Sequence, residues 1–119
     1  MGDKAMAEIK VEGGSFYIYT HWGGASLLKD AIEAILTARP RWNDTPYATR
    51  IIVDQLTKDG RDQETGFGLM LKPHAEDEYN NDKPSVIIDL LKQELRWMEW
   101  CCPFQDVALS QVRGKGGDC

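Results

Sequence analysis

The stretch Phe16-Tyr17-Ile18-Tyr19-Thr20-His21-Trp22-Gly23-Gly24 decides how this chain is read. Its aromatic and β-branched residues specify a strand, and the paired glycines turn that strand tightly into a following helix. Alternation puts Phe16, Ile18, Thr20 and Trp22 on one face, and Tyr17, Tyr19 and His21 on the other. The first face is the more apolar and is the expected core face. Upstream, Ala7-Glu8-Ile9-Lys10-Val11 alternates apolar and charged residues, the period of a half-buried strand. Glu12-Gly13-Gly14-Ser15 joins the two strands, and its glycines suit the positive φ angles of a tight hairpin turn.

Downstream, residues 25–38 place Leu28, Ala31, Ile32, Ile35 and Leu36 at helical spacing, with Ser26 as N-cap and Arg39-Pro40 as the stop. A second helix starts at Asp44 or Thr45 with Pro46 in its first turn. Ala48, Ile51, Ile52, Gln55 and Leu56 form its stripe, and it ends near Gly60. Residues 66–72 and 85–90 read as strands around a long polar loop at 73–84. Residues 91–100 admit two readings: a return strand after a turn at 91–93, which is favoured, or a helical stripe of Ile87, Leu91, Leu95, Met98 and Cys102. Pro103 opens a final short helix through Val112. The order β-β-α-α-β-β-β-α predicts an α+β fold, a two-layer sandwich of a mainly antiparallel sheet with helices on one face. One domain is expected over residues 1–113, with a flexible tail at 114–119.

The 119 residues carry a net charge of −5, and no apolar run suggests a membrane span or a secretory leader. A cytoplasmic protein is therefore expected. Cys101 and Cys102 are adjacent and seldom able to pair with each other, so thiols in a reducing compartment are expected rather than a disulfide framework. Residues 54–82 hold eight acids against three bases and account for the whole net charge. The acids Asp59, Asp62, Glu64, Glu76, Asp77, Glu78 and Asp82 fall in two expected loops. Such a surface disfavours nucleic acid and would attract a basic protein partner. Solubilising loops are the simpler reading.

Two places carry candidate chemistry. At His21, Trp22, Gly23 and Gly24, glycines before a helix let a ligand approach backbone N–H groups, where the helix dipole favours an anion. The same residues also suit a purely structural turn, with Trp22 in the core. The second place is Arg39, Arg41 and Arg50 with Trp42 and Tyr47, guanidinium groups and aromatic planes suited to a phosphate, a carboxylate or an acidic patch. Its structural alternative pairs Arg50 with Asp54 at i,i+4. His21 and His74 lie far apart and no CxxC element occurs, so no metal or cofactor is expected. No GxSxG elbow or activated cysteine points to a catalytic residue. Trp97, Met98, Trp100 and Phe104 are expected in the core, or, where exposed, as a surface for a homodimer.

At Tyr19-Thr20-His21-Trp22-Gly23-Gly24 the chain resembles small uncharacterised phage and prokaryotic proteins with an aromatic-x-His-Trp-Gly-Gly strand-to-helix turn. Arg41-Trp42-Asn43-Asp44 and Arg50-Ile51-Ile52-Val53-Asp54 continue the likeness, which covers about the first half of the chain. It implies a mobile-element accessory protein and carries no activity or residue role with it. The leading expectation is thus a small non-enzymatic binding protein that docks on, and inhibits, a host protein. The rival is a small-molecule or anion-binding enzyme, using His21 at the Gly23-Gly24 turn with Arg41 or Arg50 orienting the substrate. A homo-oligomeric structural subunit is the third.

Overall fold

The computed structural model describes residues 5–20, 26–71, 86–97 and 100–108. They form an α+β sandwich in which two helices pack on one face of a six-stranded sheet. Strands β1 (Ala5–Val11) and β2 (Gly14–Thr20) make the expected hairpin, with Ile9 opposite Phe16 and Ala7 opposite Ile18. Gly13 and Gly14 take φ angles of 92° and 147°, which L side chains rarely adopt. Helix α1 (Leu27–Thr37) and helix α2 (Thr45–Thr57) then lie against each other. A 3-10 turn at Arg39–Arg41 connects them, and a second one at Lys58–Gly60 follows α2.

The remaining strands are β3 (Phe67–Met70), β4 (Val86–Asp89), β5 (Glu94–Trp97) and β6 (Trp100–Pro103). Across the sheet they run β3-β2-β1-β4-β5-β6. Every neighbouring pair is antiparallel except β1 and β4, which meet in the middle of the sheet. The register puts Ala7, Ile9, Ile18, Val86, Ile88, Leu95 and Cys102 on the helix-covered side, where all are buried. Ala31, Ile32, Ile35, Ala48, Ile52 and Leu56 close the core from the helices. Fully burying an Ile or Leu side chain is worth about 1.5–3 kcal/mol, so this layer accounts for most of the stabilisation.

Two expectations need correction. The return strand over 91–100 exists, but it is shorter, and a further strand, β6, follows it. Trp97 and Trp100 face each other in that pairing with ring centroids 6.3 Å apart. Pro103, expected to open the final helix, instead closes β6 opposite Glu94, since proline is tolerated at the end of an edge strand. The final helix begins next to it, as expected, with a 3-10 turn at Phe104–Asp106 and helical residues 107–108, and residues 109–112 of its expected span lie outside the described residues. The thiol expectation holds for Cys102, which is buried with its Sγ 3.3 Å from the Pro103 carbonyl. Cys101 is disulfide-bonded instead, since adjacency only prevents it from pairing with Cys102.

The turn between β4 and β5 is tightly specified. Asp89, buried at the end of β4, accepts the backbone N–H groups of Leu91 and Lys92 at 3.0 Å each. Gln93 then adopts a left-handed φ of 55°, unusual outside glycine, and returns the chain into β5. Its carbonyl accepts the Phe104 N–H at 2.8 Å, fixing the segment that leaves β6.

Candidate functional site

The two ends of the α1–α2 pair carry the surfaces that the sequence marks out. At the start of α1, Thr20 ends β2 and Ser26 precedes the helix. Both line a cavity of about 390 Å3. The residues between them, His21, Trp22, Gly23 and Gly24 included, lie outside the described residues. The rest of the wall comes from Leu27 and Asp30 of α1, the end of α2, the 58–66 segment and Phe67 of β3. The Ser26 hydroxyl donates to the Asp30 carboxylate at 3.1 Å. Among the described residues, the charged lining groups are thus Asp30, Lys58 and Asp59, a mixed set without an arginine. Gly60 is fitted closely here, because a Cβ on it would stand 2.8 Å from the Phe67 ring.

Arg41 and Arg50 are not part of this wall. Arg41 follows α1, whose 11 residues span roughly 16 Å, so it sits at the other end of the helical pair from Ser26. A substrate held at the cavity would not be oriented by Arg41. What the structure does assemble is the arginine–aromatic cluster itself. Trp42 donates its Nε1–H to the Ile35 carbonyl at 2.8 Å and tilts against Phe104 with centroids 5.3 Å apart. The Gln93 side chain reaches across from the β4–β5 turn, donating to the Trp42 carbonyl at 3.2 Å and to Asn43 Oδ1 at 2.8 Å. On this base the Arg39 guanidinium stands 5.3 Å over the Trp42 ring and the Arg41 guanidinium 5.2 Å over Tyr47. The expected Arg50–Asp54 pair is replaced: Asp54 binds Arg61 at 2.9 Å, while Arg50 stays exposed.

Of the acidic residues, Asp59, Asp62 and Glu64 are exposed on the segment that joins α2 to β3, and Glu76, Asp77, Glu78 and Asp82 lie outside the described residues. Sequence reasoning missed the position of the strand that this segment leads into. Strand β3 is outermost in the sheet, and among the described residues it pairs only with β2. Leu69 on it is 60% exposed and Leu71 just beyond it is 82% exposed. The apolar alternation of Phe67, Leu69 and Leu71 was visible, but not that the strand would stand at an edge.

The sheet face opposite the helices carries Tyr17, Glu8, Ile87 and Arg96 in one row of partners. Burial, and secondarily the Glu8 carboxylate, raise the Tyr17 phenol above its ordinary value of 10.0. Among the described residues no group of three or more His, Cys, Asp or Glu side chains is placed to hold a metal ion. No helix there is long and apolar enough to cross a membrane. No protein-family model, curated protein or solved structure matches this chain.

Proposed function

We propose that this is a non-enzymatic binding protein that docks on another protein through the outer edge of β3 and the acidic loop before it. The exposure of Leu69 on an outermost strand, and of Leu71 just beyond it, carries this reading. An edge strand offers its unpaired backbone groups to an incoming strand, and alternate side chains then choose the partner. Asp59, Asp62 and Glu64 stand immediately upstream, so the favoured partner segment is extended, partly apolar and basic. Occupying such a segment would block its normal use, which is how an accessory protein of this size would inhibit a host protein.

The test is a titration with an alternating Lys/Val peptide, followed by amide NMR. Shifts and slowed hydrogen exchange are expected at Phe67–Met70, and Leu69→Lys should abolish them. Binding that leaves the β3 amides unmoved would reject the edge-docking reading.

A second reading has its own observation, the cavity of about 390 Å3 whose wall includes Thr20 and Ser26 on either side of the His-Trp-Gly-Gly segment. Its size suits a small molecule. Asp30, Asp59 and Lys58 favour a polar ligand bearing hydroxyl or amino groups over a simple anion. Native mass spectrometry of the purified protein separates the two readings, because a retained small ligand would favour the cavity.

A further inference from the structure

The arginine–aromatic cluster takes no part in the β3 edge or the cavity, yet it is built with more care than a solvated turn requires. Trp42 is fixed from three directions: by Ile35, by Phe104 and through Gln93. The cations stacked on this turn are exposed. Arg39 lies over Trp42, Arg41 lies over Tyr47, and Tyr47 remains 55% exposed. Arg50 follows Tyr47 by three residues on the same helix, which sets it on the same surface about 4.5 Å further along the axis. These charges are poorly neutralised. Arg41 has Asp44 at 3.9 Å, and Arg39 and Arg50 form no ion pair among the described residues.

We propose that this end of the molecule is a second recognition surface, made for a carboxylate-rich segment of a protein partner. A guanidinium stacked on a ring has one face covered, while the N–H groups at its edge still point outward and fit a carboxylate in two parallel bonds. Stacking also removes much of the rotamer freedom that an arginine otherwise loses on binding. The cations are spread over the 3-10 turn and the first turns of α2 instead of converging in a cleft. That spacing matches charges repeated along a peptide and not a single small anion. Tyr47 adds an apolar plane for the side chains between those charges. A nucleic acid would meet the same arginines, but a chain of net charge −5 repels its continuous phosphate backbone.

The experiment is fluorescence anisotropy of the full chain with a labelled glutamate-rich peptide, its glutamine counterpart and a single-stranded oligonucleotide. Binding is expected for the glutamate peptide alone. The combined Arg39→Gln, Arg41→Gln and Arg50→Gln variant should weaken it by about tenfold or more, because each lost charge-assisted bond is worth a substantial part of a decade. Lysine at the same three positions should not restore it, since an ammonium lacks the fork. Leu69→Lys should leave it unchanged, which separates this surface from the β3 edge. Equal binding of the glutamine peptide, tighter binding of the oligonucleotide, full rescue by lysine, or insensitivity to the triple glutamine variant would each overturn the proposal. The substituted side chains are exposed, and an unchanged circular-dichroism melt confirms that each variant is folded.

Discussion

At the α1–α2 turn, a tryptophan is pinned by a backbone carbonyl, by the Phe104 ring and by a glutamine from the β4–β5 turn, and Arg39 rests on top. At the other end of the helices, the 58–66 segment has the exposed Arg61–Asp54 pair at 2.9 Å and the Gln63–Gly60 backbone bond at 3.0 Å. It leads into a strand on which Leu69 is exposed, with Leu71 exposed just beyond it. The first region is basic and preorganised; the second is acidic and more lightly tied. A preorganised surface loses little entropy when it binds, whereas a lightly held edge can adapt to an incoming strand at the cost of ordering. The contrast therefore favours two different kinds of recognition at two ends of one small domain.

The largest test of this contrast removes the base of the rigid end. Phe104→Ala should destabilise the protein by roughly 3–5 kcal/mol, the cost of emptying a buried aromatic site. It should also free Trp42, read as a red shift and easier quenching of its fluorescence at temperatures where the fold survives. A melting point within a degree or two of the parent would mean that the arginine turn stands without its aromatic support.

A smaller effect is expected at the looser end. Gly60→Ala puts a Cβ 2.8 Å from the Phe67 ring edge, so the ring and the start of β3 must shift. A loss of about 1–3 kcal/mol in urea unfolding is expected, the usual cost of forcing extra volume into a packed contact. Amide shifts should extend along β3 without reaching Trp42. If Trp42 moves as well, the two ends are coupled and do not recognise their partners independently.

The smallest effect concerns the sheet face opposite the helices. Tyr17 has a raised pKa in the folded state, so the folded protein holds its phenolic proton more tightly than the unfolded chain does. The stability this contributes is fully present below the ordinary value near 10 and is lost as pH climbs through the higher folded value. Glu8→Gln removes the lesser cause and should lower the ultraviolet titration midpoint of Tyr17 slightly, leaving burial to keep it raised. A midpoint unchanged by Glu8→Gln would assign the whole shift to burial.

Much of the fold was legible because the signals were local. Period-two alternation in Ala7–Val11 and Phe16–Thr20 fixed which side chains face the helices, and Ile9, Ile18 and Thr20 are indeed buried. Helical spacing of Ala31, Ile32 and Ile35, and of Ala48, Ile52 and Leu56, placed both helices to within three residues. Strand β6 was not legible. Trp100-Cys101-Cys102-Pro103 is too short to show a period, and only its pairing with β5 makes it a strand. Among the candidate sites, the gathering of Arg39, Arg41, Trp42 and Tyr47 was foreseen because those residues lie within one connecting turn and its flanks. The support from Gln93 and Phe104 was not, because those residues are about fifty and sixty positions away in the chain.

By itself, then, the sequence determined the things that depend on neighbours along the chain: strand faces, helix stripes, the glycine hairpin and the clustering of charge. Tertiary structure alone decided which strand stands at the edge, which arginines are left without a carboxylate, and that Ser26 and Arg41 lie at opposite ends of a helix. Those outcomes depend on strand order and on contacts between distant segments. Local periodicity carries no information about either, because every strand order consistent with the same buried faces satisfies it equally well.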